Sequence, residues 1–307
     1  MNILIASDSF KGSLNTLEVA DNIKIGIKRV FSEAKFKIIP IADGGEGTML
    51  VMHKLFGGDL ITIPVMGPNQ DKVMASYLMT EQFALIEMAQ ASGLHLMGGK
   101  LDILNATTYG TGELIRDAVL RGSKKIIIGI GGSATNDGGV GMATALGIKF
   151  LKSDNKPIEI GASEIHSIAS IDTSEMIAEL KNTDITIMCD VNNPLYGEHG
   201  ATYCYGKQKG GDESVLTFLE NSLKHLSCVC TTMYPDHSQC SGSGAAGGLG
   251  FGLMTFLGGK QKSGIDVLLD LSNFNELLSW SDIVFTGEGK IDFQSANGKV
   301  ISGIANR

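Results

Sequence analysis

Short apolar runs alternate with amphipathic stretches along the first sixty residues. The runs 2–6 and 35–41 have the length and composition of buried strands, and the stretches 17–31 and 47–57 are predicted helices. Thr16 is the predicted N-cap of the first helix, because a side-chain oxygen there can accept from the first free amides. A β-α-β-α order of this kind predicts a parallel, doubly wound sheet.

The pattern changes near Asp59. Three short strands, within 60–68, 72–80 and 82–89, follow one another through turns with no helix between them. This change predicts entry into a second domain with a mixed sheet. Further helices are predicted at 110–122, 140–147 and 214–233, and further strands at 124–130, 184–190 and 281–287.

Composition and charge exclude several classes of function. The net charge of −8 argues against a non-specific nucleic-acid binder, since phosphate neutralisation needs clustered Lys and Arg. The longest uncharged stretch, 241–259, is rich in glycine, which predicts a loop that enters a packed helix rather than a membrane span. The first residues lack a basic leader and the five cysteines are an odd number, so we expect reduced thiols and a cytoplasmic protein.

Acidic residues recur where the apolar strands end. They are Asp8, Asp43, Asp137, Asp190, Glu288 and Asp292. Open α/β sheets bind ligands outside the carboxyl ends of their strands, and carboxylates beside glycine-rich backbone suit a metal–phosphate ligand. Asp and Gly are also the commonest turn formers, and turn formation alone explains an acidic residue at any single strand end. Because acidic residues recur at five strand ends, we favour a shared role in ligand binding over turn formation alone.

Two of the glycine-rich loops approach a dinucleotide fingerprint. They contribute Gly242, Gly244 and Gly247, and Gly129, Gly131 and Ala134. The first set lacks a convincing strand before it, and the second lacks an immediate helix for the pyrophosphate. An NAD-dependent 2-hydroxy-acid dehydrogenase and a non-catalytic nucleotide-binding module therefore stay as alternatives.

A zinc site is a further alternative. Its ligands would be Cys228, Cys230, His237 and Cys240. The C-x-C spacing is not the usual C-x₂-C knuckle. The first two cysteines are better explained by opposite faces of one helix.

Eight motifs in one order resemble the bacterial glycerate kinases of the first type, from residue 2 to the last residue. They are DSFKGSL, PIADGGEGT, EMAQASGL, TTYGTGELI, GIGGSATNDGGVGMATALG, CDVNNPLYGEHGA, GAAGGLG and TGEGKIDFQS. The resemblance implies phosphorylation of D-glycerate by Mg-ATP, generally at the 2-hydroxyl. It also implies a Rossmann-like domain, residues 1–60 plus 281–307, interrupted by a second mixed-sheet α/β domain, residues 61–280.

Phosphoryl transfer needs carboxylate-bound Mg²⁺, support for the phosphates and a base near the acceptor hydroxyl. We expect Asp190 to be that base and Lys11 to face the γ-phosphate or the glycerate carboxylate. Asp43 and Asp137 are the expected metal ligands. The other expected substrate- and nucleotide-binding residues are Asp8, Ser9, Gly44, Gly45, Gly132, Ser133, Thr135, Asn136, Asn192, Asn193, Gly287, Glu288 and Asp292. The oligomeric state stays open.

The last ten residues, 298–307, begin a predicted helix with an apolar stripe. The Rossmann-like domain would then hold about three parallel strands, fewer than the ~4–6 of an ordinary sheet. We therefore expect this domain to be incomplete at its C-terminus, with exposed apolar faces near 281–307. Such a chain should aggregate readily and have little kinase activity.

Overall fold

The computed structural model describes residues 1–10, 13–41, 47–289 and 300–307. They form two compact units. Unit 1 contains residues 1–55 and 262–307, and unit 2 contains residues 56–261.

The described chain alternates between strands and helices. The strands are β1 Asn2–Ser7, β2 Lys35–Ile38, β3 Asp59–Met66, β4 Lys72–Met79, β5 Ala84–Glu87, β6 Lys125–Gly129, β7 Lys149–Leu151, β8 Ser170–Asp172, β9 Asp184–Met188, β10 Lys260–Lys262 and β11 Ile283–Gly287. The helices are α1 Thr16–Lys28, α2 Thr48–Phe56, α3 Ala89–Ser92, α4 Tyr109–Leu120, α5 Val140–Ala145, α6 Ala201–Tyr205, α7 Glu213–Cys230, α8 Ala245–Leu257, α9 Gly264–Leu271, α10 Phe274–Trp280 and α11 Val300–Ala305. Single turns of 3₁₀ helix lie at Leu94–Met97, Ile165–Ser167, Ala178–Asn182 and Lys207–Lys209.

Unit 1 is built on a parallel sheet in the order β11-β1-β2. The central strand β1 is apolar and almost wholly buried, as a strand covered on both faces must be. Its neighbour β11 is more open, and Ile283 and Phe285 are 42% and 36% exposed. Exposed apolar groups near 281–307 are thus found on β11, whereas the apolar residues Val300 and Ile304 of α11 are buried, contrary to the expectation for the helix.

The first helix begins one residue earlier than predicted. The N-cap is Asn15, whose Oδ1 accepts from the amides of Leu17 at 3.1 Å and Glu18 at 3.0 Å. The Glu18 carboxylate accepts from the Asn15 amide at 2.8 Å, which completes a capping box. Thr16 lies inside the helix and donates its hydroxyl proton to the Ile41 carbonyl at 3.2 Å. The predicted Thr16 cap is therefore wrong, because Asn15 completes a reciprocal pair with Glu18.

Helices α9 and α10 are absent from the sequence-based prediction, which assigned residues 262–280 to the inserted domain. They belong to unit 1. Ser263 caps α9 by accepting from the Asp266 amide at 3.1 Å. Lys262 and Arg307 both pair with Asp270, at 3.0 Å and 2.6 Å. These contacts fix α9 against the ends of the second segment of unit 1.

Unit 2 is built on a six-stranded mixed sheet in the order β10-β9-β6-β5-β4-β3. The pairs β3·β4 and β4·β5 are antiparallel, whereas β5·β6 and β6·β9 are parallel. In register, Glu87 stands opposite Gly129, and Gly129 stands opposite Met188. Three parallel strands thus end at one edge of the sheet. The predicted fold class, a parallel-sheet domain and a separate mixed-sheet α/β domain, is confirmed.

Helix α8 enters through a left-handed kink. Ala246, Gly247 and Gly248 have φ of 53°, 65° and 89°, a conformation that favours glycine. A Cβ on Gly247 would overlap the carbonyl oxygen of Thr135. The sequence predicts that this glycine run is a loop at the start of a packed helix. In the structure its backbone packs closely against the backbone of Thr135.

The cysteines lie as predicted for a helix. On α7, Cys228 is exposed and Cys230 is buried, and all five cysteines are free thiols. Among the residues that the structure describes, no three His, Cys, Asp or Glu side chains are grouped to hold a metal. The zinc alternative is therefore wrong. In the same residues, no helix combines the length and hydropathy that crossing a bilayer requires.

Candidate active site

The carboxyl edge of β5, β6 and β9 collects most of the predicted residues of unit 2. Segments 88–94, 130–139 and 189–193 leave the sheet here, directly after the aligned ends of the three strands. Parallel strands place such connecting segments side by side, which is where open α/β sheets bind ligands. This edge is the candidate active site.

The segment after β6 is joined to the segment after β5 by backbone hydrogen bonds. The Leu94 amide donates to the Gly132 carbonyl at 2.8 Å, and the Ala134 amide donates to the Ser92 carbonyl at 3.0 Å. Gly132 has a φ of 74°, in the left-handed region that glycine occupies easily. Gly131 and Gly132 are exposed and Ser133 is half-buried. A glycine-rich backbone of fixed shape therefore faces solvent, as an anion-binding loop requires.

Asp137 lies at the inner end of the same segment and is 0% exposed. Its Oδ2 accepts from the Thr108 amide and hydroxyl, both at 2.8 Å, and from the Gly141 amide at 3.3 Å. Its Oδ1 accepts from the Gly139 amide at 3.1 Å. Burial raises the pKa of Asp137, and the hydrogen bonds from Thr108, Gly139 and Gly141 oppose that rise.

The surroundings of Asp137 bear on two predicted roles. Donors crowd Asp137 Oδ2 and only Oδ1, which accepts one hydrogen bond, keeps a lone pair for a cation, so the geometry of this fully buried carboxylate favours an anchor for the start of α5 over a metal ligand. The same carboxylate occupies the N-terminus of α5, which a pyrophosphate would need in the Gly129–Ala134 fingerprint. The structure therefore gives the dinucleotide alternative no helix terminus here.

Thr135 and Asn136 point inward, and both are fully buried. The Thr135 hydroxyl donates to the Ala246 carbonyl at 3.4 Å, and Asn136 Nδ2 donates to the Thr202 hydroxyl at 3.1 Å. The Gly247 carbonyl accepts from the Gly138 amide at 3.0 Å. These contacts support the segment from its buried side, and Asn136 Oδ1 is buried there without a hydrogen-bond partner.

Lys209 is a residue that the sequence analysis missed. It is 2% exposed, and its Nζ donates to Ser133 Oγ at 2.8 Å and to the Thr135 carbonyl at 2.7 Å. Burial lowers the pKa of Lys209 to about 7, and the charge of Asp137 acts in the opposite direction. A lysine within the polar run KQK carries no sequence signal of burial.

The segment after β9 carries Asp190, Asn192 and Asn193. Asp190 is exposed. Asn192 Oδ1 accepts from the Ser241 hydroxyl at 2.7 Å, and Asn193 Oδ1 accepts from the Tyr205 hydroxyl at 2.7 Å. Two asparagines thus fix the loop that carries the exposed Asp190.

In unit 1, the predicted residues lie at the ends of β1 and β11. The Asp8 amide donates to the Gly287 carbonyl at 2.8 Å, so the two strand ends are adjacent. The Asp8 carboxylate accepts from the Ser9 amide at 2.6 Å, and Glu288 follows Gly287 directly. The other predicted residues, Lys11, Asp43, Gly44, Gly45 and Asp292, lie outside the described residues.

Comparisons with known proteins agree along the whole chain. The model of the glycerate kinase family matches residues 3–307. A glycerate kinase of Bacillus cereus is 44% identical over 311 residues, covering 100% of this chain and 82% of that protein. A glycerate 2-kinase of Escherichia coli is 44% identical over 310 residues, covering 100% and 81%. A crystal structure described as a candidate glycerate kinase 2 from Salmonella typhimurium LT2 superposes with a TM-score of 0.93 at 41% identity, covering 100% of this chain and 83% of that one.

Proposed function

Because this chain belongs to the glycerate kinase family, we propose that it transfers the γ-phosphoryl group of ATP to D-glycerate, with the 2-hydroxyl as acceptor. The observation that carries the proposal is the similarity to a glycerate 2-kinase, 44% identical over 310 residues. The exposed glycine-rich segment and the neighbouring Asp190 supply the chemistry that such a reaction requires at one edge of the sheet.

Phosphoryl transfer depends mainly on positioning and on neutralising charge. In our proposal the Asp190 carboxylate accepts the proton of the glycerate hydroxyl as its oxygen attacks the γ-phosphorus, and ADP leaves. The backbone around Gly131 and Gly132, with the Ser133 hydroxyl, binds an anionic oxygen of one substrate. Asn192 and Asn193 hold the loop that carries Asp190.

When bound, Mg²⁺ would neutralise charge on the β- and γ-phosphates. This ion commonly takes only one or two protein carboxylates and completes its shell with phosphates and water. Single carboxylates at strand ends, such as Asp8 and Glu288 in unit 1, fit that donor set. Asp43 stays our predicted ligand, whereas the surroundings of Asp137 favour an anchoring role. The cytoplasm is the proposed location, and the five free thiols are compatible with it.

The test combines the purified chain with D-glycerate, ATP and MgCl₂ and follows ADP release. Enolase, added without a phosphoglycerate mutase, dehydrates 2-phosphoglycerate but not 3-phosphoglycerate, so its signal identifies the hydroxyl. L-Glycerate is the matched control for stereochemistry. ADP release without an enolase signal would overturn the assignment of the 2-hydroxyl, and no ADP release would overturn the kinase activity itself.

A further inference from the structure

The segment Ala201–Lys209, called the brace below, lies under the glycine-rich segment of the candidate active site. It consists of α6 and the 3₁₀ turn that follows. Thr202, at its start, accepts from Asn136, and Lys209, at its end, donates to Ser133 and Thr135. The brace therefore contacts the glycine-rich segment through side chains at both of its ends.

Burying the side chain of Lys209 costs free energy. Lysine is almost never fully buried unless it is paired, because its ammonium loses hydration. Within the described residues, no carboxylate lies at ion-pair distance from Lys209 Nζ, whose hydrogen-bond partners are a hydroxyl and a carbonyl. A methionine would fill similar space without this cost. The position of the ammonium, rather than its packing, therefore needs an explanation.

The direction of the hydrogen bond between Lys209 and Ser133 explains the position of the ammonium. Ser133 is half-buried, and its hydroxyl oxygen accepts from Lys209 on the buried side. A hydroxyl that accepts in this way keeps its own proton for a second partner, and hydrogen bonds linked through one hydroxyl strengthen each other. The exposed glycines Gly131 and Gly132 leave the outer side open.

We propose that Lys209 is a positioning residue, which turns the Ser133 hydroxyl outward to donate to an anionic oxygen of a substrate. The identity of the anion rests on the proposed function. It is either the carboxylate of glycerate or a phosphate of ATP, which present the same acceptor chemistry. Lys209 itself touches neither substrate and acts through Ser133.

A double-mutant cycle tests this coupling. Lys209→Met removes the donor at similar volume, Lys209→Gln restores a shorter neutral donor, and Ser133→Ala removes the hydroxyl. Lys207→Met is the matched control, because Lys207 is an exposed lysine in the same turn. We expect Lys209→Met to raise KM for one substrate by about tenfold, the scale of one hydrogen bond to a charged group, with a smaller change in kcat. Lys209→Gln should recover part of the loss.

The decisive result is non-additivity. If Lys209 acts through Ser133, the double variant should have the KM of Ser133→Ala alone, and the substrate affected should be the same in both single variants. A raised KM for glycerate identifies the carboxylate, and a raised KM for ATP identifies a phosphate. Additive effects, or unchanged KM values for both substrates in Lys209→Met, would overturn the proposal.

Two further measurements separate the possible failures. Hydrogen–deuterium exchange of the peptide that covers 131–138 should accelerate in Lys209→Met and not in Lys207→Met, whether or not either variant is active. Unchanged exchange in Lys209→Met would overturn the positioning role. If the wild-type protein transfers no phosphate, the proposed function fails. Calorimetric binding of glycerate alone and ATP alone to wild type and Ser133→Ala then decides whether Ser133 binds an anion.

Discussion

Asp137 and Asp190 come from nearly the same sequence signal and reach opposite environments. Each follows an apolar parallel strand of one sheet, β6 or β9; the sequence predicts Asp137 as a metal ligand and Asp190 as the general base. Asp137 is buried among four close donor contacts, whereas Asp190 faces solvent. A carboxylate after a strand thus predicts the edge of the sheet on which it lies, but not whether it serves the fold or the reaction.

The difference comes from what packs against each loop. The kinked start of α8 and the residues Thr107 and Thr108 enclose the segment after β6. The segment after β9 is held by Asn192, Asn193 and Gln261, and these contacts leave the Asp190 side chain outside. The enclosed carboxylate is therefore expected to matter for stability and the open one for turnover.

The largest expected effect is that of Asp137→Ala. It leaves the Thr108, Gly139 and Gly141 amides and the Thr108 hydroxyl without their buried acceptor. We expect the free energy of unfolding to fall by about 3–5 kcal/mol, the cost of removing one partner from a buried charged network. Urea denaturation measures the change. A loss below about 1 kcal/mol would show that Asp137 is no anchor and would reopen its metal role.

Asp190→Asn should lower turnover and leave stability almost unchanged. We expect kcat to fall about 10²-fold, because a positioned general base contributes on that scale. The free energy of unfolding should stay within about 0.5 kcal/mol of wild type, since the side chain is exposed. Steady-state kinetics and urea denaturation of the same sample give both numbers. A kcat within a few-fold of wild type would remove Asp190 from the mechanism.

Gly247→Ala tests the enclosure of the first loop by α8. The new Cβ would overlap the Thr135 carbonyl, so we expect a loss of about 2 kcal/mol in unfolding free energy beyond the cost of the backbone conformation. Gly258→Ala is the matched control, because its φ of 64° is nearly that of Gly247, 65°, and nothing lies within 4 Å of its Cβ position. Equal losses in the two variants, measured in urea, would show that the contact with Thr135 carries no energy.

The smallest expected effect, taken per pH unit, is the pH dependence that Lys209 contributes to stability. Its pKa falls from 10.5 to about 7 on folding, so between these pH values the unfolded chain binds more protons than the folded one. Stability therefore rises with pH across this window, by at most about 1.4 kcal/mol per pH unit from one group. Above pH 7 the urea midpoint of wild type should therefore rise relative to that of Lys209→Met, which lacks the titrating group. Lys207→Met should follow wild type, and parallel curves for Lys209→Met would contradict the shifted pKa.

Elements fixed by local pattern could be predicted, and those fixed by distant contacts could not. Strands such as β1, β6 and β9 are apolar runs of ordinary length, and their order implied the parallel pairing. Helix α10 and the strand β10, which reads Lys-Gln-Lys, lack a strong pattern of their own and are absent from the prediction. Helix α9 is an exception, because its Ser263 cap and apolar face are a local pattern that the prediction overlooked. The N-cap was displaced by one residue because Asn15 and Glu18 act together.

The same division holds in the candidate site. Glycines and carboxylates marked the segments after β6 and β9, because those residue types are needed wherever a strand ends in an exposed loop. The burial of Lys209 depends on Ser133 and Thr135, which lie 76 and 74 residues earlier. A contact of that separation leaves no periodicity in the sequence.

The kinked start of α8 also constrains the order of folding. The Ala246 carbonyl and the Thr135 hydroxyl that bonds to it are 111 residues apart in the chain. Closing so long a loop costs entropy before the contact returns any energy, and contacts of high sequence separation slow folding. We therefore expect the contact between the glycine-rich segment and the start of α8 to be among the last parts of unit 2 to form. During synthesis on the ribosome, residues 131–139 must wait until α8 has emerged before they can take up their final conformation.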